Sequence, residues 1–175
     1  MPAKTRGKNR SPRNRLDSGQ ALIEYAVSAI VMATLLFGMV DFARAIYQQQ
    51  TITSMAAQGA KIAMIGTGLA DSATAVIGGT NLNFGTNGCV IMSSVYATSP
   101  TALTVSDQQR NCATGQSSKI GTKGSTATIP GGAVPVVYPQ TVYVAEVYYQ
   151  YQPITPIGKL VQFALPTQLY DVAYY

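Results

Sequence analysis

Few side chains in this sequence have the chemistry and the spacing that catalysis needs. The chain contains no histidine, which excludes Ser-His-Asp triads and every histidine-based scheme of acid–base catalysis. The carboxylates beyond residue 19 are scattered singly along the chain: Glu24, Asp41, Asp71, Asp107, Glu146 and Asp171. Gly66-Thr67-Gly68 matches only half of a nucleotide-binding loop, because no Gly-Lys-Ser/Thr follows it. The sequence therefore indicates a protein that is not an enzyme and that uses no cofactor and no small-molecule substrate.

Cys89 and Cys112 are the only cysteines in the sequence. Two cysteines without a histidine cannot form an ordinary zinc site, and their spacing is not that of a redox motif. The segment 78–88 (GGTNLNFGTNG) reads as a long flexible connection without acidic side chains, so it is a poor calcium site and we expect no bound metal. If the domain is exported, we expect a disulfide that closes a loop of about 24 residues and stabilises the fold by about 3 to 4 kcal/mol.

The net charge of +5 comes entirely from the segment before Gly19. The basic residues of this segment are Lys4, Arg6, Lys8, Arg10, Arg13 and Arg15, and its one acid is Asp17. No aromatic side chains alternate with these charges to stack on bases, which disfavours a nucleic-acid-binding arm. A basic block beside an apolar stretch is typical of the cytoplasmic flank of a membrane segment. We therefore expect contact with a membrane and not with nucleic acid.

An apolar run follows the basic segment and is long enough to cross a membrane. Residues 21–40 contain one charge, Glu24, and as a helix they would measure about 30 Å, the thickness of the hydrocarbon layer. A cleavable secretory signal is an alternative interpretation, because Ala43-Arg44-Ala45 imitates a cleavage site. Against it, the run is longer than the apolar core of a typical signal, and an acid near its start would be unusual there.

The helical pattern continues beyond Val40 without a breaker. Apolar residues recur at helical spacing along one side, namely Phe42, Ala45, Ile46, Ile52, Met55, Ala56, Ala60 and Ala63. The opposite side is predicted to carry Asp41, Arg44, Gln48, Thr51, Gln58 and Lys61. Gly66-Thr67-Gly68 would end a helix of about 45 residues. Small residues near its end, such as Gly59 and Ala63, either admit a second helix closely or pack under a sheet.

Glu24 is the residue of the apolar run that most needs an explanation. A carboxylate in a membrane segment is costly and is a functional candidate by default. Near the cytoplasmic edge, however, its side chain could reach headgroup water, and Asp17-Ser18-Gly19-Gln20 also has the pattern of an ordinary helix N-cap. The residues alone leave both interpretations open.

A resemblance to a known family favours a functional role for Glu24. The basic leader, Gly19, a glutamate at the fifth residue after it and the adjacent Tyr25 resemble the processing motif of type IV prepilins. The continuation GQALIEYAVSAIVMATLLFGMVDFARAIYQQQTITSMAAQGAKIA resembles TadE-like pilins of the tight-adherence (Flp, type IVc) pilus systems, including the helical turn that carries Asp41 and Arg44. The similarity is close over residues 18–64, and the later stretch YQYQPITPIGKLVQFALP is similar more loosely.

The resemblance implies how the helix is processed and what it binds. A membrane-embedded prepilin peptidase would cleave after Gly19 on the cytoplasmic side, so that Gln20 becomes the new amino terminus. In related pilins the glutamate at the position of Glu24 is thought to pair with the terminal amine of a neighbouring subunit. Glu24 and Tyr25 are therefore expected to set the register of assembly. The expected partners are the prepilin peptidase, other pilin subunits, the pilus assembly machinery and the membrane.

The rest of the chain is expected to form a small exported domain. Its Gly, Asn, Thr and Ser content and its short β-branched runs favour strands and loops after Gly68. Residues 141–152 alternate as a half-buried strand would, and a last strand is expected over 168–175. The tyrosines cluster from Tyr138 onward, either packed in a sheet or forming a contact surface. A short apolar group is expected to cover the sheet or to touch membrane or a partner: Val161, Phe163, Ala164 and Leu165.

The sequence thus predicts an α+β fold in which one long N-terminal helix packs on a small antiparallel sheet, as in type IV pilins. The predicted segments are a basic leader (1–19), a transmembrane half-helix (20–40), its amphipathic continuation (41–65) and an exported β-rich domain (66–175). The expected function is that of a minor pilin or pseudopilin in the bacterial inner membrane, with a cytoplasmic N-terminus. It would build or initiate a tight-adherence pilus. The alternative is an uncleaved single-pass assembly factor of the same pilus or secretion system.

Overall fold

The computed structural model describes residues 13–99, 101–130, 137–156, 158 and 165–175, and for residues 13–18 it describes the backbone alone. In chain order the elements are helices α1 (Arg13–Met64), α2 (Leu69–Gly78) and α3 (Phe84–Asn87) and strands β1 (Gly88–Ser99), β2 (Ala102–Cys112), β3 (Gln140–Gln150) and β4 (Gln168–Tyr174). The strands form one antiparallel sheet in the order β2-β1-β3-β4. A long N-terminal helix on a small antiparallel sheet is the predicted α+β fold, which is confirmed.

Helix α1 is 52 residues long, or about 78 Å at 1.5 Å per residue. It ends where the sequence predicts a stop, because Gly66 has a φ of +99° and its N–H donates to the carbonyl of Ala63 at 3.2 Å. The helix begins at Arg13, upstream of Asp17-Ser18-Gly19-Gln20. The interpretation of that segment as an N-cap is therefore wrong, since its residues lie inside the helix.

The second half of α1 packs on the sheet through small side chains. Ala56, Ala60 and Ala63 are buried, and a Cβ on Gly59 would lie 3.2 Å from Val76 of α2 and 3.3 Å from Ala145 of β3. Small residues allow the helix axis to approach both neighbours closely. Both interpretations of these residues are therefore confirmed, since they admit α2 closely and pack under the sheet.

In the first turns of this half, the side chains that face the domain are not the ones that the apolar pattern predicts. Phe42 and Ile46 were expected to face inward, but they are 57% and 44% exposed. Asp41 and Gln48 were expected on the outer side, but they are buried, with exposures of 0% and 4%. The assignment was wrong because it sorted side chains by polarity, whereas the domain supplies hydrogen-bond donors that allow a carboxylate to face it.

Two helices replace loops that the sequence predicted after Gly68. Residues 69–78 form α2, which buries Ser72, Ala73 and Val76 against the rest of the fold. The supposed flexible connection 78–88 contains α3, and the ring of Phe84 on α3 packs 5.4 Å from that of Tyr149. Alanine and β-branched residues in a ten-residue segment gave a weak helical pattern, and packing on α1 decides the outcome.

The sheet is covered on both faces, which differs from the half-buried strand predicted over residues 141–152. One face of β3 packs on α1 through Ala145 and Val147, while the other face buries Val144 against Ile120 and Ile129. Residues 113–130 thus act as a second layer made of irregular chain. β4 occupies the position predicted for the last strand.

Several of the clustered tyrosines pack in the sheet, which confirms one of the two interpretations; the contact surface stays a prediction. Tyr148, Tyr149 and Tyr151 are buried in the fold, while Tyr174 and Tyr175 are 37% and 42% exposed. Of the apolar group predicted at 161–165, Leu165 is buried and the other residues lie outside the described part of the chain.

We predict that Gly59→Leu weakens the packing of α1 on the sheet. The added side chain would meet Val76, Ala145 and the sulfur of Met92, so the free energy of unfolding should fall by about 1 to 3 kcal/mol. Gly38→Leu is the matched control, because a Cβ built there has no described atom within 4 Å. Chemical denaturation of both full-length variants in detergent, followed by circular dichroism, measures the difference. Equal stability of the two variants would contradict this packing.

Candidate anchoring and assembly site

The residues of the predicted processing motif lie together on a bare stretch of α1, that is, one that the described rest of the chain does not cover. Gly19, Gln20, Glu24 and Tyr25 occupy less than two turns of helix and are all exposed. No atom of the described residues lies within 4 Å of a Cβ built at Gly19. Among the described residues Glu24 has no hydrogen-bond or ion-pair partner. No described residue of the sheet domain reaches this segment, so its side chains are accessible for contact with other molecules.

The stretch that follows is long and apolar enough to cross a membrane. Within α1 the helical segment Gly19–Met64 has a window of mean hydropathy 2.0, of which 6% is covered by the rest of the chain. A core helix of a water-soluble fold would bury such a surface, whereas this one presents Leu22, Ile30 and Leu35 to its surroundings with exposures between 65% and 69%. The apolar helix is therefore suited to be a membrane anchor.

Asp41 fixes the base of the domain to the helix just beyond this stretch. Its side chain is buried and accepts hydrogen bonds from the backbone N–H of Ile154 at 3.1 Å and from the hydroxyl of Thr155. The N–H of Thr155 also points to it at 3.4 Å, and the hydroxyl of Tyr151 donates to the Asp41 carbonyl at 2.7 Å. A Cβ at Gly158 would collide with the carboxylate, so only glycine fits there. Asp41 thus holds the loop that follows β3.

Arg44 lies one turn further along the same side of α1. The predicted helical turn with Asp41 and Arg44 is present, and it contacts the domain as well as following the apolar stretch. Arg44 is partly buried, and its Nη1 has no hydrogen-bond partner among the described residues; the same holds for Oε1 of Gln48. The three residues form a polar face on α1 that is turned toward the base of the sheet.

The disulfide joins Cys89 to Cys112. The two residues stand opposite each other in the register of β1 and β2, near the end of the sheet where Gly88 pairs with Tyr149. Cys89 is fully buried and packs with Ile91 and Tyr148. The sequence indicated the pairing, but not that it would link adjacent strands.

A second buried carboxylate, Glu146, was not singled out from the sequence. It is 0% exposed in the middle of β3 and accepts from the N–H of Lys119 at 2.8 Å and from the hydroxyls of Ser118, Tyr148 (3.1 Å) and Tyr170 (3.2 Å). Glu146 therefore ties the irregular layer to the sheet. The signal that could have revealed it is its position on a strand face shared with Val142, Val144 and Tyr148.

The surroundings of Glu146 suit a structural carboxylate better than a catalytic one. Burial, followed by the negative charge of Glu146, raises the pKa of both Tyr148 and Tyr170. The ammonium group of Lys119 lies 3.6 Å from the centroid of the Tyr170 ring and closes the cluster on its outer side. The described residues contain no group of three or more side chains that could hold a metal ion.

We predict that Asp41→Asn loosens the base of the domain. The amide oxygen can take the place of Oδ1, but the amide nitrogen replaces the Oδ2 that accepts from the hydroxyl of Thr155, and the negative charge is lost. The free energy of unfolding should therefore fall by about 1 to 3 kcal/mol. Asp107→Asn is the control, because that carboxylate is exposed and pairs with Lys123 at the surface, where an ion pair contributes about 1 kcal/mol or less. Denaturation of the full-length protein in detergent measures both. A smaller effect at Asp41 than at Asp107 would contradict the assigned role.

We predict that the protein loses stability above about pH 10, the pKa of tyrosine in an unfolded chain. Because the folded protein raises the pKa of Tyr148 and Tyr170, their contribution is complete below that pH and is lost as the pH rises further. Tyrosinate absorbance and circular dichroism should therefore show both residues ionising together with unfolding.

Glu146→Gln should lower the free energy of unfolding by about 1 to 3 kcal/mol at neutral pH. The matched Glu24→Gln, at an exposed position, should leave it unchanged.

Comparison with known proteins agrees with the predicted resemblance. Residues 19–61 match the model of a family described as "TadE-like protein". No match was found among curated proteins or among solved structures. The matched segment begins at Gly19, contains Glu24, Asp41 and Arg44, and ends within the part of α1 that packs on the sheet. Over the greater part of its long helix the chain is thus similar to the TadE-like family, as the sequence indicated.

Proposed function

We propose that this protein is a minor pilin or pseudopilin that helps to build or initiate a tight-adherence pilus. The observation that carries the proposal is the division of α1 into a bare apolar half and a half that bears the domain, within a segment that matches the TadE-like family. A helix of this kind anchors a folded domain to the membrane and presents its side chains to neighbouring helices. In support of a structural role, the two buried carboxylates, Asp41 and Glu146, accept hydrogen bonds that stabilise the fold.

The charge distribution supports one orientation in the membrane. The basic residues precede Gly19, and basic flanks remain on the cytoplasmic side. The domain would then lie outside the cytoplasm of a bacterial cell, in a compartment where the Cys89–Cys112 disulfide is stable. Both features favour the same topology, with the apolar half of α1 in the inner membrane.

Cleavage after Gly19 by a prepilin peptidase would separate the positive charges from the helix. While the leader is attached, its charges oppose movement of the N-terminus into hydrocarbon. Removal of the leader leaves a chain with equal numbers of acidic and basic side chains and one new amine on Gln20. The exposed carboxylate of Glu24 is then available to pair with the amine of a neighbouring subunit, which would fix the register between helices.

The structure also raises the main competing possibility. Helix α1 runs unbroken through the bond between Gly19 and Gln20, and a peptidase that binds an extended chain would first have to unwind it. Glycine lowers the cost of unwinding, since it disfavours a helix by about 1 kcal/mol relative to alanine. An assembly factor that keeps its leader would retain the helix as it stands. The two possibilities differ in whether the bond is cut.

We predict that the protein isolated from its native host begins at Gln20. Gly19→Leu should block cleavage, because a side chain would enter the space at the scissile bond, and the uncut protein should keep the leader and stay in the membrane. Gly38→Leu, a control further along the same bare helix, should be cut normally. Mass spectrometry of the N-terminal peptide gives the result.

The Glu24→Gln variant tests assembly separately from processing. It should be cut normally, but its amount in sheared surface filaments should fall well below that of the unaltered protein. An intact leader on the unaltered protein would overturn the pilin proposal in favour of the assembly factor. Normal incorporation of Glu24→Gln would remove the proposed role of this carboxylate.

A further inference from the structure

The face of α1 that points away from the domain stays apolar beyond Val40, where the apolar run ends in the sequence. Asp41 is the first charged residue after Glu24, so the apolar run ends at Val40 when residues are read in order. The structure turns Asp41 and Gln48 inward and leaves Arg44 partly buried. The charged and amide groups that appear to end the run are therefore directed toward the domain and do not mark where the outer face becomes polar.

The side of the helix that faces away from the domain stays apolar for almost two more turns. Its exposed residues after Val40 are Phe42, Ala43, Ile46 and Tyr47, with exposures of 57% at Phe42, 44% at Ile46 and 62% at Tyr47. The next exposed residues on α1 are polar: Gln50, Thr53, Ser54, Gln58 and Lys61. On this face the change from apolar to polar thus falls between Tyr47 and Gln50, about 10 Å further along the axis than Val40.

The length of this surface matches the hydrocarbon layer of a membrane. Tyr25 and Tyr47 are separated by about 33 Å along the helix axis, and the layer is about 30 Å thick. Both tyrosines are exposed, and aromatic side chains with a polar tip are enriched at the two membrane–water interfaces. A span that starts at Tyr25 would place Glu24 at the level of the cytoplasmic headgroups.

The base of the domain carries a second apolar group at the same level. Ile154 is 63% exposed, and its N–H donates to the carboxylate of Asp41, which places the residue beside the helix below Tyr47. The polar atoms of this region, on Asp41, Thr155 and Tyr151, are bonded to one another. Among the described residues of this loop, Ile154 and Pro156 are thus exposed apolar side chains, and Gln152 is exposed beside them.

We propose that the acyl chains of the outer leaflet cover the free face of α1 as far as Tyr47, and that the base of the domain with Ile154 rests in that leaflet. The proposal assumes the membrane anchor of the proposed function and adds where the lipid surface lies. Lipid is the occupant because the apolar face is continuous with the bare surface of residues 21–40, with no exposed polar side chain on α1 between Thr34 and Tyr47. The domain is consequently seated in the membrane surface instead of standing above it.

Tryptophan fluorescence tests this boundary, since the sequence contains no tryptophan. Single substitutions Phe37→Trp, Tyr47→Trp and Gln50→Trp, together with Tyr96→Trp on the sheet, are made in the full-length protein. Each variant is reconstituted in phosphatidylethanolamine–phosphatidylglycerol vesicles with the domain outside. Quenching by lipids brominated near or far from the headgroup is compared with quenching by iodide in the water. An intact disulfide on a non-reducing gel confirms that each variant is folded.

The expected result is a boundary between Tyr47 and Gln50. Tyr47→Trp should be quenched at least about twofold by bromines near the headgroup, because the indole would lie at the edge of the hydrocarbon. Phe37→Trp should be quenched most by bromines deep in the layer. Gln50→Trp and Tyr96→Trp should respond to iodide instead. Ile154→Trp is a second probe of the base and should behave like Tyr47→Trp.

Three results would overturn the proposal. If Tyr47→Trp responds to iodide as strongly as Tyr96→Trp while Phe37→Trp still responds to lipid, the anchor stands and the boundary is at Val40. If Phe37→Trp also escapes the lipid bromines, the membrane anchor itself fails. If Tyr47→Trp is shielded from both quenchers until the protein is diluted in lipid, the face is covered by a second copy of the chain.

Discussion

One continuous helix has to satisfy two different surroundings, and the rest of the structure follows from this constraint. In hydrocarbon every backbone N–H and carbonyl must be bonded within the segment, which a helix achieves and irregular chain does not. Helix α1 therefore continues without a break from Arg13 to Met64 and changes its side chains instead of its backbone. From Leu22 to Val40 its side chains are almost all apolar, and its second half turns mainly small and apolar side chains toward the sheet, together with Asp41 and Gln48.

The domain accommodates its two buried carboxylates in the same way. Asp41 and Glu146 are both 0% exposed, and each accepts hydrogen bonds from backbone N–H groups and from hydroxyls. Neither forms an ion pair with a basic side chain of the described residues. Each carboxylate lies where irregular chain meets a regular element, α1 in one case and β3 in the other. Removing such an acceptor leaves several donors unsatisfied at once, which makes these sites costly to change.

Much of this arrangement could be predicted because it depends on local sequence. The long apolar run, the glycine at the end of α1 and the last strand each follow from residues close together in the chain. The family motif around Gly19 and Glu24 was likewise visible, since it is contiguous. These features do not require knowledge of what packs against them.

The remaining features depend on partners distant in the sequence. The inward direction of Asp41 requires the loop at Ile154 and Thr155, and the burial of Glu146 requires Ser118 and Lys119. Sorting α1 by polarity therefore placed Phe42 on the wrong side. Helix α2 was missed for a related reason, because a short segment of weak propensity becomes helical when a neighbouring surface can bury one of its faces.

The disulfide has a mechanical consequence for a protein that is held by one end. Tension applied through α1 reaches the sheet by side-chain packing, since the cross-link lies between β1 and β2 and does not include the helix. If the domain were pulled open, the bond between Cys89 and Cys112 would keep about 75 Å of chain from extending. A stretched molecule would thus separate first between α1 and the sheet, while the cross-linked β1–β2 hairpin stays folded.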